Sequence, residues 1–239
     1  MHNLSYLFKQ TKQPGEVDDL YHIFNQSNGL NMIYWDFFFR QVENLSFSAI
    51  VECGVGRGRS LISLLTLENY YATLGGRSKR KIYGLDSFEG FPEPTKFDIS
   101  KRNPEKGEWA YSPSGKYKYS PSFIKEIISS ADLNAELVNL EIIQGFFDQS
   151  IPKLPEEPIG ILHLDGDLYD SVMTPLNLLS KRVTLGGVIV IDDYIVLNDP
   201  KLDPFPGARA AVEEFLLKNK NFSLHISVRG NPYLTKNEL

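Results

Sequence analysis

The sequence predicts an α/β protein with a doubly wound, mostly parallel sheet. Short apolar segments bounded by turns alternate with segments of helical periodicity, which is the pattern of βαβ units. A glycine-rich turn joins the first predicted strand to its helix, and acidic residues follow the strands. The predicted parallel strands are residues 49–53, 81–85, 140–144, 159–164 and 188–191. Because open parallel sheets bind ligands outside the carboxyl ends of their strands, we expect these acids to meet in one crevice.

Length and charge limit the classes of protein that fit. A chain of 239 residues is suited to one α/β domain with additions. The formal net charge of −5 argues against general binding to nucleic-acid phosphates. Cys53 is the only cysteine, and the sequence shows neither the residue order of a signal peptide nor an apolar run of membrane-spanning length. These features predict a soluble, cytoplasmic protein that binds a small molecule rather than nucleic acid or a membrane, and they are compatible with a homo-oligomer.

The N-terminal part, residues 1–45, is predicted to form a helical extension or lid beside the α/β domain, residues 46–239. Its beginning is polar, with scattered aromatic side chains and no clean period. Further along, Ile33, Phe38 and Val42 belong to an apolar series at helical spacing. We therefore expect a helix whose aromatic side chains pack on the core rather than around a ligand.

The glycine-rich turn runs from Glu52 to Ser60 with the sequence Glu-Cys-Gly-Val-Gly-Arg-Gly-Arg-Ser. Glycine has no side chain and tolerates positive φ angles, so such a turn lets a ligand approach the backbone closely. The following helix is expected to begin near Gly58. Glu52 stands at the carboxyl end of the strand, where its carboxylate is expected to face the crevice, suit a cationic ligand group and repel a phosphate.

The second predicted strand leads into Asp86 and Ser87. An acid at this position of a doubly wound sheet is well placed to accept hydrogen bonds from two ribose hydroxyls. The segment that follows, residues 94–121, is too long for an ordinary connection. Its four large aromatic side chains favour a loop that covers the substrate over a disordered linker; they are Trp109, Tyr111, Tyr117 and Tyr119.

The third strand closes on Gly145, Phe146, Phe147 and Asp148. Two interpretations stay open here. Either the phenylalanines stack on an adenine ring, with Asp148 accepting from its exocyclic amine, or they are core residues under a turn. The fourth strand is almost wholly apolar, which is typical of a central parallel strand. His163 lies inside it and is interpreted as a core histidine with a hydrogen-bond partner rather than as a catalytic residue.

The fourth strand ends at Asp165, and the fifth ends at Asp192 and Asp193. Three carboxylates at the ends of adjacent strands repel one another unless a positive charge lies between them. A hard divalent cation with oxygen ligands, Mg²⁺ above all, is the natural candidate. The alternative is that one or two of these acids cap the helices that follow. Asp167 is expected either to join the cluster or to act as an N-cap.

The C-terminal part is predicted to complete the sheet. Residues 207–218 have the pattern of a helix, and residues 223–228 and 233–235 form a hairpin around a turn. The hairpin brings the predicted number of strands to seven and gives the sheet an antiparallel edge.

Several of these segments together resemble the macrocin O-methyltransferase (TylF-like) family. They are the glycine-rich turn and residues 86–90, 145–147, 164–171, 186–194 and 207–215. The resemblance covers about residues 30–215, and its Asp-Gly-Asp-x-Tyr and Asp-Asp-Tyr pieces are much more specific than the glycine-rich turn. It implies a class I, Rossmann-like methyltransferase that uses S-adenosylmethionine (SAM) and Mg²⁺ to methylate sugar hydroxyls of natural products.

The resemblance also implies roles for individual residues. SAM is assigned to Glu52, Gly54, Gly58, Ser60, Asp86, Ser87, Gly145, Phe146 and Asp165. The metal is assigned to Asp165, Asp192 and Asp193, and Asp165 or Asp167 is expected to take the proton of the acceptor hydroxyl. Two departures from the family pattern stand out. Arg57 and Arg59 occupy positions that are usually aromatic or small, and the long loop holds no histidine that could be carried over as a base.

Three other functions stay as alternatives. A catechol-type phenol O-methyltransferase would use the same three-ligand metal site. A NAD-dependent oxidoreductase would also use a glycine-rich turn, but Glu52 would then face the pyrophosphate, and no suitable Tyr-x-x-x-Lys pair is present. A non-catalytic SAM-binding module would keep the turn and transfer no methyl group.

Overall fold

The computed structural model describes residues 26–195 and 202–237. Its strands are β1 (Ala49–Cys53), β2 (Ile82–Asp86), β3 (Leu140–Gln144), β4 (Ile159–Leu164), β5 (Val183–Ile191), β6 (Phe222–Ile226) and β7 (Pro232–Lys236). These described strands form one seven-stranded sheet in the order β3-β2-β1-β4-β5-β7-β6. Strands β1 to β5 pair in parallel, and β7 runs antiparallel to both β5 and β6. The predicted doubly wound, mostly parallel sheet is confirmed.

Helices cover both faces of the sheet. They are α1 (Gln26–Gln41), α2 (Arg59–Gly75), α3 (Pro121–Ser130), α4 (Phe147–Ser150), α5 (Tyr169–Leu179) and α6 (Pro206–Lys218). Successive strand side chains alternate between two cores: Ile50 packs with α1, α2 and α3, whereas Val51 packs with α5 and α6. None of the helices in the described ranges is long and apolar enough to cross a membrane.

The bounds of β1, β3 and β4 are those that the sequence predicts, but β5 begins at Val183, five residues before the predicted start. The predicted tight turn around Gly186 lies inside the strand. Its residues form an irregularity, because Ile159 pairs with Val183 whereas Ile161 pairs with Val188. Gly186 has a φ angle of +78°, which only glycine adopts easily. The glycines therefore do interrupt the regular strand, but they form a bulge in β5 opposite β4 rather than a turn that precedes the strand.

Helix α1 packs on the core through an aromatic face. Tyr34, Trp35, Phe38 and Val42 are fully buried, whereas Ile33 is 63% exposed. The predicted apolar stripe is thus present but rotated, because the larger aromatic side chains take the buried positions. The first 25 residues of the predicted lid lie outside the described residues.

The long loop of residues 94–121 is held against α5 and α6. Its short 3₁₀ turn, Lys96–Asp98, buries Asp98, whose Oδ1 accepts a hydrogen bond of 2.7 Å from the backbone N–H of Tyr169. The Phe97 ring stacks on the Tyr169 ring at 4.3 Å between centroids. Any side chain at Gly207 would collide with the Asp98 carboxylate, so a glycine at this position of α6 lets the loop dock.

Candidate active site

A cavity of about 810 Å³ opens at the carboxyl ends of β1 to β5. The residues of the predicted site that line it are Gly54, Ser60, Asp86, Ser87, Phe146, Asp165, Asp167, Asp192 and Asp193. Glu52, Gly58 and Gly145 of the predicted set are not among its lining residues. The structure therefore brings most of the predicted residues into one crevice, at the edge of the sheet where parallel strands bind ligands.

The backbone of the glycine-rich turn lies close to the backbone at the end of β4. Gly54 has a φ angle of +98°, and a Cβ atom there would collide with the carbonyl oxygen of Asp165. Gly58 has a φ angle of +82° and directly precedes the first residue of α2. Glycine is needed at the first position for space and at the second for its left-handed conformation.

Glu52 is fully buried and does not face the cavity. Its Oε1 accepts a hydrogen bond from the Ser60 hydroxyl and lies 3.0 Å from Nδ1 of His163. Within the described residues its Oε2 has no hydrogen-bond partner, and neither does Nε2 of His163. The His163 ring also packs edge-on against Trp35, with 4.7 Å between ring centroids. Glu52 thus reaches the site only through Ser60, and His163 has the buried partner that the sequence indicated.

Asp86 holds the turn in shape. Its Oδ2 accepts hydrogen bonds of 2.8 Å from the backbone N–H groups of Val55 and Gly56, and its Oδ1 accepts one of 2.6 Å from Phe88. Burial raises the pKa of Asp86, and the three backbone hydrogen bonds oppose that rise. A carboxylate offers about four acceptor positions, so one direction stays open toward the cavity.

Three carboxylates at the other side of the cavity lie close together. Asp165, Asp167 and Asp193 each present an oxygen, and the three oxygens lie within 4.8 Å of one another. Burial and then the neighbouring acids raise the pKa of each group, that of Asp167 to about 8. Carboxylate oxygens in such a group are the ligands that Mg²⁺ prefers, and a divalent charge would relieve their repulsion.

Asp167 adopts a strained backbone conformation that lets it contact another member of this group. Its φ angle of +60° lies in the left-handed region, which non-glycine residues rarely adopt. In this conformation its N–H donates a hydrogen bond of 3.1 Å to Oδ2 of Asp193. Strain of this kind persists where the surroundings enforce it, and it is common at functional sites.

Asp192 is not a member of the three-carboxylate group, although its charge acts on all three acids. Its side chain forms an ion pair with Arg229, and its carbonyl oxygen accepts a hydrogen bond of 2.6 Å from the Asn231 amide. The Arg229 guanidinium in turn lies over the Tyr34 ring, 4.4 Å from its centroid. In this arrangement Asp167, rather than Asp192, completes the group with Asp165 and Asp193.

The β6–β7 hairpin also contributes residues to the site, which the sequence did not predict. Arg229 and Asn231 line a second cavity of about 440 Å³, which shares Asp192 and Asp193 with the first. An arginine next to a turn glycine carries no local signal of this role, because its acidic partner lies 37 positions away in the sequence. Only the antiparallel pairing of β5 with β7 brings the two together.

Aromatic side chains form the outer wall of the first cavity. Phe146 and Phe147 line it from the end of β3, and Trp109 and Tyr119 line it from the long loop. Tyr119 is buried, whereas Trp109 is half exposed. The other two aromatic residues of the loop, Tyr111 and Tyr117, are not among the lining residues.

Comparison with known proteins identifies a family of methyltransferases. Residues 41–220 match the family model described as macrocin-O-methyltransferase (TylF). The chain is 28% identical over 166 residues to mycinamicin III 3''-O-methyltransferase of Micromonospora griseorubida, covering 70% of this chain and 59% of that protein. It is 27% identical over 147 residues to 8-demethyl-8-(2,3-dimethoxy-alpha-L-rhamnosyl)-tetracenomycin-C 4'-O-methyltransferase of Streptomyces olivaceus, covering 62% and 53%. The chain thus spans less than two thirds of the length of these curated relatives.

A solved structure supports the fold independently. The calicheamicin methyltransferase CalS11 superimposes on the chain with a TM-score of 0.72 at 23% identity, covering 98% of this chain and 89% of that one. The superimposed region therefore includes the whole described sheet of this chain, with its antiparallel edge. Because the family match spans most of the sequence and the fold agrees with it, the chain belongs to the macrocin-O-methyltransferase (TylF) family.

Proposed function

We propose that the chain is a SAM-dependent O-methyltransferase that acts on a sugar hydroxyl of a small-molecule natural product. The observation that carries the proposal is that one cavity joins the glycine-rich turn to the group of Asp165, Asp167 and Asp193. The first element suits the methyl donor, and the second suits a cation that binds the acceptor oxygen. Membership of the family and the names of the two relatives, both O-methyltransferases, support the same activity.

The methionine part of SAM is proposed to lie over the turn, at Gly54, Gly58 and Ser60, with Glu52 beneath Ser60. The open acceptor direction of Asp86, beside Ser87, suits the ribose hydroxyls. The partly buried ring of Phe146, next to Gly145, offers a stacking surface for the adenine. When bound, the sulfonium group of SAM supplies an electrophilic methyl group.

Mg²⁺ is proposed to bind Asp165, Asp167 and Asp193, whose oxygens lie within 4.8 Å of one another. Such an ion would supply Lewis-acid chemistry there, lowering the pKa of the acceptor hydroxyl. In the set inferred from sequence, Asp165, Asp192 and Asp193, the Asp192 carboxylate would be shared between the ion and Arg229. This set is kept as a second arrangement of the same site.

The chain's own residues then have two tasks. The turn and the acid group hold donor and acceptor at a fixed separation, and orientation of this kind supplies much of the rate of a direct displacement. Each acid of the group offers one oxygen to the ion, so the second oxygen of Asp165 or Asp167, both at the cavity surface, is left to accept the proton of the acceptor hydroxyl. The aromatic residues of the long loop, Trp109 and Tyr119, cover the acceptor side of the cavity and limit the entry of water.

The proposed acceptor is a sugar because one relative is named for a rhamnosyl compound. Catechol-type methylation of a phenol is the second candidate, since the same carboxylate group would hold the metal for two phenolic oxygens. A cytoplasmic location and self-association stay predictions from the sequence.

Calorimetry followed by methyl-transfer assays tests the proposed function. We expect the purified chain to bind S-adenosylhomocysteine and to methylate glycosides in preference to catechols. We also expect EDTA to abolish turnover and added Mg²⁺ to restore it. Turnover on catechols alone would favour the second candidate, and binding without turnover on either class would indicate a non-catalytic module. Undiminished turnover after removal of Mg²⁺ would contradict the proposed metal site.

A further inference from the structure

The N-terminus of α2 opens on the cavity without a capping side chain. The helix begins at Arg59, directly after Gly58, and no side-chain hydrogen bond caps its first turn. Arg57, Arg59 and Ser60 all line the cavity. The Ser60 hydroxyl donates to Glu52 instead of capping the helix. Uncapped N–H groups and the helix dipole give this end of α2 a partial positive charge.

Arg59 adds a full positive charge at the same place. Its side chain is partly buried, and its Nε is buried without a hydrogen-bond partner among the described residues. Burial, and then the charge of Arg57, lowers the pKa of Arg59. A buried N–H without a partner is unfavourable unless a ligand supplies the acceptor. The Arg59 guanidinium is therefore suited to pair with an anion.

None of the residues that the structure describes supplies the other half of such an ion pair. Asp192 and Asp165 are the acids whose charges act on Arg59. Asp192 is paired with Arg229, and Asp165 belongs to the three-carboxylate group. No acid within residues 26–195 and 202–237 forms an ion pair with Arg59 or Arg57. Among the described residues Arg59 thus lacks a paired anion, and a ligand in the cavity can supply one.

Charges of both signs meet at this turn. Arg59 and the N-terminus of α2 suit an anion, while the buried carboxylate of Glu52, linked to the cavity through Ser60, suits a cation. Glu52 also keeps an oxygen without a partner among the described residues. An amino-acid group carries a carboxylate and an ammonium on the same carbon atom. Such a zwitterion matches both charges of the turn at once.

We propose that Arg59, together with the N-terminus of α2, binds the α-carboxylate of the methionine part of the methyl donor. The proposal rests on the proposed function, which places SAM in this cavity. A guanidinium can bind a carboxylate through two parallel hydrogen bonds, so it fixes direction as well as position. Arg59 is thus a positioning residue: by holding the carboxylate, it orients the reactive end of the donor toward the acid group.

Decarboxylated SAM, which lacks only the carboxylate, provides the test. Calorimetry measures the affinity of SAM and of decarboxylated SAM for the wild-type protein and for Arg59→Gln. We expect Arg59→Gln to weaken SAM about 10- to 100-fold, as for loss of a hydrogen-bonded charge pair. The affinity for decarboxylated SAM is expected to stay constant or to increase, because a positive charge near a doubly cationic ligand has been removed. Arg59→Lys is expected to recover part of the affinity for SAM.

Arg57→Gln is the matched control, since it removes the same charge from the same turn. We expect it to change both affinities by less than about threefold, as for a long-range charge effect. Binding of decarboxylated SAM and an unchanged thermal midpoint show that each variant is folded.

Three outcomes would overturn the assignment of Arg59. They are equal weakening of both ligands by Arg59→Gln, no weakening of SAM, and a SAM-specific loss in Arg57→Gln instead. Failure of the proposed function has a different signature, because the wild-type protein would then bind neither ligand, and this result would overturn both proposals.

Discussion

The two sides of the cavity treat their carboxylates in opposite ways. On the turn side, formed by residues 52–60 and Asp86, hydrogen-bond donors surround the acids: Asp86 accepts three backbone N–H groups, and Glu52 accepts from Ser60. These hydrogen bonds oppose the rise that burial causes in the pKa of Asp86, and they hold the shape of the turn. The turn side is therefore held by contacts within the described residues, although Oε2 of Glu52 and Nε of Arg59 have no hydrogen-bond partner there.

On the acid side, formed by Asp165, Asp167 and Asp193, the carboxylates face one another. Burial and mutual repulsion raise the pKa of each, so the ionised group disfavours the folded state. A bound cation would reverse the sign of this contribution. The turn side thus keeps its shape through hydrogen bonds of its own, whereas the acid side depends on a bound cation if the proposed function is correct.

The largest expected effect is on activity. Asp193→Asn keeps the shape of the side chain and removes one charge from the acid side. We expect kcat/KM to fall at least about 100-fold, or about 2.7 kcal/mol of transition-state stabilisation. Initial rates at saturating Mg²⁺ measure this loss, and calorimetry with S-adenosylhomocysteine should show affinity within about threefold of the wild type.

Asp170→Asn is the control for this variant, because Asp170 also lines the cavity but lies outside the acid side. Its rate is expected to stay close to that of the wild type. Equal losses in the two variants would show that general cavity charge, rather than a metal site, supports the reaction.

The second effect is on the stability of the turn side. Gly54→Ala places a Cβ against the carbonyl oxygen of Asp165, so the turn must move away from β4. We expect the free energy of unfolding to fall by about 3 kcal/mol, measured by urea denaturation. Gly56→Ala is the matched control: its φ angle of +51° is also positive, but no atom lies within 4 Å of the added Cβ. That variant should lose only about 1 kcal/mol, and similar losses would mean that backbone conformation alone explains the glycines.

The third prediction compares two isosteric substitutions that should change stability in opposite directions. Without metal, Glu52→Gln should lower the free energy of unfolding by about 1 kcal/mol, because a charge-assisted acceptor for Ser60 is replaced by a neutral one. Asp193→Asn should raise it by about 1 kcal/mol, because one of three repelling charges is removed. Thermal or urea unfolding in EDTA measures both. A loss of stability in Asp193→Asn would show that the acid side is held together by hydrogen bonds rather than strained by charge.

The smallest expected effect concerns Asp192. Arg229→Gln removes its ionic partner and leaves an additional carboxylate beside the acid side. We expect Mg²⁺ to bind about threefold more tightly, or about 0.6 kcal/mol, as measured by calorimetry. Weaker binding would instead indicate that the Arg229–Asp192 pair holds Asp193 in position for the metal.

Much of the fold follows from local patterns. The bounds of β1, β3 and β4 were predicted because apolar runs between turn residues are a local property of the chain. The same strands predicted that the acids lie at their carboxyl ends. They also predicted the crevice that Asp86 and Asp165 line. The start of β5 was predicted wrongly, since a glycine pair that signals a turn in isolation forms a bulge beside β4.

Local sequence patterns are enough to predict the sheet, the glycine-rich turn and the kind of residue at each strand end, because each depends on neighbours within a few positions. Which carboxylates meet depends instead on tertiary contacts. Neighbouring residues at a strand end point in different directions, so Asp193 joins Asp167 while Asp192 turns to Arg229 on the hairpin. Likewise, His163, which lies 3.0 Å from the buried Glu52 carboxylate, is 111 positions away in the sequence. Contacts across such distances are set by strand order and packing, which local sequence patterns do not encode.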